Sequence, residues 1–220
     1  MPKMKTYNEM TIEVIRQTEK PEEVVSYALQ QCMRKDIEQK AVNKEQLEFI
    51  LDADHMSPLE HISQTILIKG ISRSLLAQVT RQRTFKFTSS SQHYQNYNEY
   101  AFIVSQTDKD NQIFRESFRQ SMDVYQKLLR CGLPKEEARQ ALPGAMEVNL
   151  LITADARNMI NFFRQRVCMR NVAEMQIFAN KWLVKAHTWF PGLFSMVGAG
   201  CHRTGKCTQG KMQAECCKPF

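Results

Sequence analysis

Guanidinium groups dominate the chemistry on offer in this 220-residue sequence. Arg81 and Arg83 flank Gln82 where a helical pattern ends, Arg139 stands just before Leu142-Pro143, and Arg166 follows a polar stripe of Arg157, Asn161, Arg164 and Gln165. A guanidinium presents a planar fork that makes paired, charge-assisted hydrogen bonds to phosphate and imide oxygens, a geometry that lysine cannot reproduce. A nucleotide monophosphate suits such a set. Taken one at a time, each of these arginines is more often a surface ion-pair partner. Ser91 has no evident base beside it in sequence and reads as a hydrogen-bond donor, not as an activated nucleophile.

Elements must place these groups. Over residues 155 to 167, Ala156, Met159, Ile160, Phe163 and Val167 form an apolar helical stripe and leave Arg157, Asn161, Arg164 and Gln165 opposite. One face packs and the other can bind; a solvated surface helix explains the same pattern. From Ser72 to Arg83 a second helix puts Leu75, Leu76 and Val79 on one face while Gln78 and Arg81 share another. The stretch from Thr84 to Tyr100 is too polar and irregular for a core element and reads as a binding loop. Residues 21 to 35 start with Pro21 and two acids and end basic, as helix dipoles prefer; 44 to 54 form another helix and 61 to 72 a strand. Further on come a strand at 100 to 105, a long helix at 111 to 132 closed by Gly132, and a short helix up to Pro143. A strand at MEVNLLIT and a helix ending before Pro191 complete the pattern. The order gives an α+β fold with helices dominant and one domain as the default. From residue 197 the Gly, Cys and Lys content shows no periodicity, the signature of a mobile tail or an extended arm.

Composition bounds the rest. No run approaches the roughly 18 apolar residues of a membrane helix and the start lacks a signal-peptide core, so a cytoplasmic protein with no membrane is expected. Seven cysteines, an odd count, argue against a disulfide framework. A net charge of +7 calls for a polyanionic partner, which a phosphorylated small molecule satisfies as well as nucleic acid does. Gly200 to Lys206 matches most of a phosphate-binding P-loop, but Cys207 replaces the metal-binding hydroxyl and too little chain follows for a nucleotide-binding fold. Cys201, His202, Cys207, Cys216 and Cys217 lack a standard Cys-x-x-Cys pair, so no metal is expected. Tyr94, Tyr97 and Tyr100 after RTFKF mix aromatics with cations as single-strand binders do, and equally suit a nucleotide-binding loop.

The RQRTFKFTSSSQHY segment resembles the flavin-dependent thymidylate synthases, also described as thymidylate synthase complementing proteins. That family carries Arg-His-Arg, seven residues, Ser, one residue, then Arg-Tyr; here Gln82 replaces the His and His93 the later Arg. DHMSPLEH is similar to its His-x-Thr-Pro-Phe-Glu-His stretch, with His55 and His61 on the two histidines. EEARQALPGAMEVNLLITADARNMINFFRQR resembles its Ala-Arg-x-x-Leu-Pro strand and Asn-Ala-Arg-x-x-x-Asn-Phe helix, the most specific match. Ser89 stands where many relatives carry Glu or Gln, and Cys32 where several have a small hydroxyl residue. The pieces span residues 20 to 195 in order.

The resemblance implies a helix-rich α+β single domain around a central, mostly antiparallel sheet, with a catalytic domain over 1–196 and a Cys- and Gly-containing tail over 197–220. It implies that Gln78, Arg81, Arg83, Ser91, His93, Arg139 and Arg166 hold deoxyuridylate (dUMP), with Arg166 and Ser91 as catalytic residues. FAD is implied against His55, Arg81, Gln82, Arg83, Ser89, Asp155, Arg157 and Asn161. NADPH and 5,10-methylenetetrahydrofolate follow as co-substrates, in a homotetramer with sites assembled between subunits and no nucleic-acid partner. A cationic clamp on the pyrimidine carbonyls lowers the cost of negative charge on the ring, which explains the lack of an obvious nucleophile dyad. The rivals are a flavin- and folate-dependent paralogue acting on another pyrimidine nucleotide, by hydroxymethyl or methyl transfer, and a basic nucleic-acid-binding module.

Overall fold

The structure is a computed structural model and describes residues 3–32, 40–91, 101–202 and 205–207. His93, Tyr94, Tyr97, Tyr100, Cys216 and Cys217 lie outside the described residues. Its strands are β1 (Lys3–Thr6), β2 (Thr11–Gln17), β3 (Ser63–Ser72), β4 (Lys86–Ser89), β5 (Ala101–Val104) and β6 (Glu147–Asp155). Its helices are α1 (Pro21–Cys32), α2 (Lys44–Asp52), α3 (Arg73–Val79), α4 (Gln112–Arg130), α5 (Lys135–Ala138), α6 (Ala156–Arg166), α7 (Ala173–Trp189) and α8 (Pro191–Phe194). Four strands form a sheet in the order β2-β3-β6-β4, and β1 pairs in parallel with β5, Lys3 opposite Ala101 and Thr6 opposite Val104. Antiparallel pairing of β3 with β6 shows in Thr65 meeting Thr153 while Gly70 meets Asn149. The fold is thus α+β, helix-rich, with an antiparallel sheet.

The chain divides into two compact units. The first comprises Met1–Thr11, Leu67–Gln82 and Phe87–Leu151. Its core gathers Met4, Phe102, Val104, Phe118, Tyr125, Ala138 and Met146, with Phe102 and Phe118 stacked at 4.3 Å between ring centres. α4 begins where Asn111 Oδ1 accepts from Ile113 N and ends at Gly132, whose φ of +87° favours glycine. Glu147 closes the β1 edge, accepting from Lys5 Nζ at 2.6 Å and from Ala101 N at 3.1 Å.

The second unit comprises Ile12–Ile66, Arg83–Lys86 and Ile152–Phe220. Trp182 sits at its centre with Phe85, Phe162, Phe163 and Phe178 at centroid distances of 5.4 to 5.7 Å. Phe85 and Phe163 meet Trp182 edge-on, Phe162 is tilted and Phe178 stacked, pairings that add to the burial of large apolar area. Gln64 is fully buried and satisfied: its Oε1 accepts from Trp182 Nε1 at 2.8 Å and its Nε2 donates to Gln17 Oε1 at 3.0 Å.

Two readings of the sequence are corrected. The stretch after Thr84 is not wholly loop, since Lys86–Ser89 forms β4 at the end of the sheet order. An edge strand has one neighbour only, so a polar segment can occupy it at small cost. The first 17 residues, for which no element was expected, hold β1 and β2; β2 buries no residue fully, so its sequence carries little inward pattern.

Candidate functional site

In the first unit the site begins with how α3 is held. Ser72 Oγ caps it by accepting from Leu75 N at 2.9 Å, Arg73 N donates to Met146 O at 3.0 Å and Ser74 N to Gly144 O at 2.9 Å. A Cβ on Gly144 would come within 2.5 Å of Ser74 Oγ, which would have to rotate away. α3 was expected to run to Arg83 but stops at Val79. Thr80 Oγ1 donates back to Leu76 O at 2.9 Å and Gln82 N closes a turn on Val79 O at 3.0 Å. Gln78 is half-buried on the helix, while Arg81 is exposed and Gln82 half-buried on the turn.

β4 ends in a clamp. Ser90 N donates to Asn149 O at 3.1 Å, Asn149 N to Ser90 Oγ at 3.3 Å, and Arg73 Nη2 to Ser90 O at 3.1 Å. Asn149 Oδ1 also accepts from Gly70 N at 3.3 Å. These bonds fix the Ser89–Ser91 segment, with both of its outer serines exposed, against β6 and the start of α3. Arg139 follows buried Ala138, is half-buried, and donates through Nε to Glu136 O at 3.0 Å. Gln78, Arg81, Ser89, Ser91 and Arg139 all fall within the first compact unit.

The second unit carries the rest. Asp155 ends β6 and caps α6: its Oδ1 accepts from Asn158 N at 2.9 Å and its Oδ2 from Asn158 Nδ2 at 2.6 Å. Ala156, Met159, Ile160, Phe162 and Phe163 are buried; the inward stripe is wider than expected at Phe162, and Val167 is only half-buried. Arg157 and Asn161, one turn apart, are half-buried on the other side. Arg157 pairs with Glu60, their side chains 41% and 48% exposed. Arg166 is half-buried at the end of α6 and donates through Nη1 to Asn171 Oδ1 at 3.3 Å. His55 is half-buried with its ring 6.2 Å from that of Phe49, and Arg83 is exposed.

Two clefts open beside the last turn of α6. One, of about 600 Å³, lies between Asp52, Arg164 and the Met196–Gly200 segment; the other, of about 510 Å³, between Arg164, Arg170, Asn171 and Cys201. None of the expected site residues lines either cleft. The start of the expected tail is tied down there: Val197 is buried and Gly200 N donates to Arg164 O at 2.9 Å. Among the described residues no group of three or more His, Cys, Asp and Glu is arranged to hold a metal, and no helix is long and apolar enough to cross a membrane.

Sequence reasoning missed Arg73, Asn149, Asn158 and Asn171, the polar residues that position the expected ones. Only Asn158 had a local signal, the Asp-x-x-Asn spacing of a helix start.

A solved structure with this architecture is that of a UMP/dUMP methylase, PolB, from Streptomyces cacaoi bound with 5-Br dUMP. It shares a TM-score of 0.76 at 21% identity and covers 88% of this chain and 95% of that one, a likeness of fold. The family described as thymidylate synthase complementing protein matches residues 13–192. A flavin-dependent thymidylate synthase from Clostridium tetani (strain Massachusetts / E88) is 32% identical over 91% of each chain. One from Geobacter sulfurreducens is 32% identical over 92% of this chain and 93% of its own. The chain belongs to this thymidylate synthase complementing protein family of methyl-transferring enzymes.

Proposed function

We propose that this enzyme methylates dUMP to dTMP, taking carbon from 5,10-methylenetetrahydrofolate and hydride from FAD recharged by NADPH. The names of the relatives, flavin-dependent thymidylate synthases matched along nearly the whole chain, support the reaction. The single observation that carries it is the outward side of α6, where Arg157 and Asn161 follow a buried stripe and Arg166 closes the helix.

The donor set fits a flavin dinucleotide. Arg157 and Asn161 offer a cation and an amide to phosphate and ring oxygens, and Arg157 pairs with Glu60 in an exposed ion pair, worth about 0–1 kcal/mol, which a phosphate can replace. His55, Arg81, Gln82, Arg83 and Ser89 complete the proposed flavin contacts, and Asp155 contributes by fixing the first turn of α6. The chemistry a bound flavin supplies here is hydride donation to complete the methyl group.

Gln78, Arg81, Arg83, Ser91, His93, Arg139 and Arg166 are proposed to hold dUMP. Arginine forks neutralise the phosphate and polarise the uracil carbonyls, so negative charge on the ring is stabilised without a covalent nucleophile. Ser91 donates a hydrogen bond to the nucleotide. A homotetramer with shared sites is part of the same proposal.

Gln82 and His93 favour a second reading, a flavin- and folate-dependent paralogue acting on another pyrimidine nucleotide. Gln82 replaces a titratable ring by a neutral amide, and His93 replaces a permanent cation by a conditional one. Purification separates both readings from a nucleic-acid-binding module. The expected protein is yellow with a flavin spectrum and releases FAD on denaturation; colourless protein that retards RNA in a gel contradicts both.

A further inference from the structure

Beyond α6 the chain doubles back through Asn171, and every hydrogen-bonding end of that residue is engaged. Its Nδ2 donates to Gln165 O at 2.8 Å and to Cys168 O at 3.0 Å, and its backbone N–H donates to Cys168 O at 3.0 Å. Its backbone oxygen accepts from Gln176 Nε2 at 2.5 Å, and the same Nε2 donates to Met169 O at 2.9 Å. Chemistry settles which way the amide points. Two carbonyl oxygens can be met only by the NH₂ end, because the flipped amide would set Oδ1 against both of them. Oδ1 therefore faces the other way, where it receives Arg166 Nη1 at 3.3 Å.

We infer that Asn171 is a positioning residue for Arg166, a fixed acceptor that holds the guanidinium at the end of α6 without neutralising it. A carboxylate at this place would pair with Arg166 and compete with a ligand phosphate, and it would repel the carbonyls of Gln165 and Cys168. The neutral amide orients the fork and leaves its charge for an anion. The inference rests on the reading in which Arg166 binds the nucleotide.

A double-mutant cycle tests it on the full-length protein, with dUMP titrated calorimetrically and melting temperature and flavin content followed in parallel. Asn171→Ala is expected to weaken dUMP binding about tenfold in the wild-type background and less than about twofold in Arg166→Ala. Equal losses in both backgrounds would show a merely structural role and overturn the inference, as would unchanged affinity in Asn171→Ala. If Asn171→Ala does not fold, Asn171→Asp replaces it, being nearly isosteric; it too is expected to weaken dUMP binding, and unchanged affinity overturns the inference. Arg166→Ala with undiminished dUMP affinity sinks the parent reading as well. Arg166→Ala impaired with Asn171→Ala unimpaired sinks this inference alone.

Discussion

Arg157 and Arg166, both on α6, meet partners of different charge. Arg157 faces a carboxylate, Glu60, whereas Arg166 faces a neutral amide, Asn171. An exposed ion pair contributes little, so Glu60→Gln is expected to change stability by less than about 1 kcal/mol and to strengthen FAD binding, read by thermal melting and a flavin titration. Weaker FAD binding would mean that Glu60 orients Arg157 instead of competing for it. Arg166→Lys keeps the charge and loses the fork, with an expected loss of about 1.5–3 kcal/mol in dUMP affinity. Unchanged affinity would remove Arg166 from the site. The arginines were legible in the sequence as candidates, because a guanidinium suits an anion, although by type alone each is more often a surface ion-pair partner. Asn149, Arg73 and Asn171 were not, since an isolated Asn or Arg is ordinary. Asn149 acquires meaning from Gly70 and Ser90, 79 and 59 positions away.

Helices with strong periodicity and caps were legible, α4 between Asn111 and Gly132 and α6 behind Asp155; α7, which has no side-chain cap, was legible from its length and from Pro191 beyond its end. β1, β2 and β4 were not, because short or edge strands draw on partners remote in sequence more than on their own pattern. The strand β3 matters for a reason its sequence hides, a buried Gln64 bonded to Trp182 on α7. Trp182→Phe leaves Gln64 Oε1 without that donor and is expected to cost about 1–3 kcal/mol in denaturant unfolding, in addition to packing loss. A smaller change would show that the amide finds another partner. At the end of β1, the Thr6 N–H bonded to the Glu9 carboxyl holds it below its ordinary value of 4.5, helped by Lys109. A depressed carboxylate contributes stability above its ordinary value and loses that contribution as pH falls through the lowered one. The melting-temperature gap between wild type and Glu9→Gln is therefore expected to be widest near neutrality and to close below pH 4.5. A gap independent of pH would contradict this role.

For the molecule as a whole, the family match covers residues 13–192 and the described fold is that of a solved nucleotide methylase, so architecture and class stand together. Each compact unit carries part of the expected set: Gln78, Arg81, Ser91 and Arg139 in the first, His55, Arg157, Asn161 and Arg166 in the second. The surplus of +7 charges suits small anionic substrates, and its attraction falls as salt shortens the Debye length to about 8 Å at physiological strength. The guanidinium groups along this chain are proposed to serve one pyrimidine monophosphate during methyl transfer. Tritium release from C5-labelled dUMP, with FAD, NADPH and 5,10-methylenetetrahydrofolate present, tests it most directly. Release from dUMP that is lost in Arg166→Ala is the expected result; release from C5-labelled deoxycytidylate alone would contradict it.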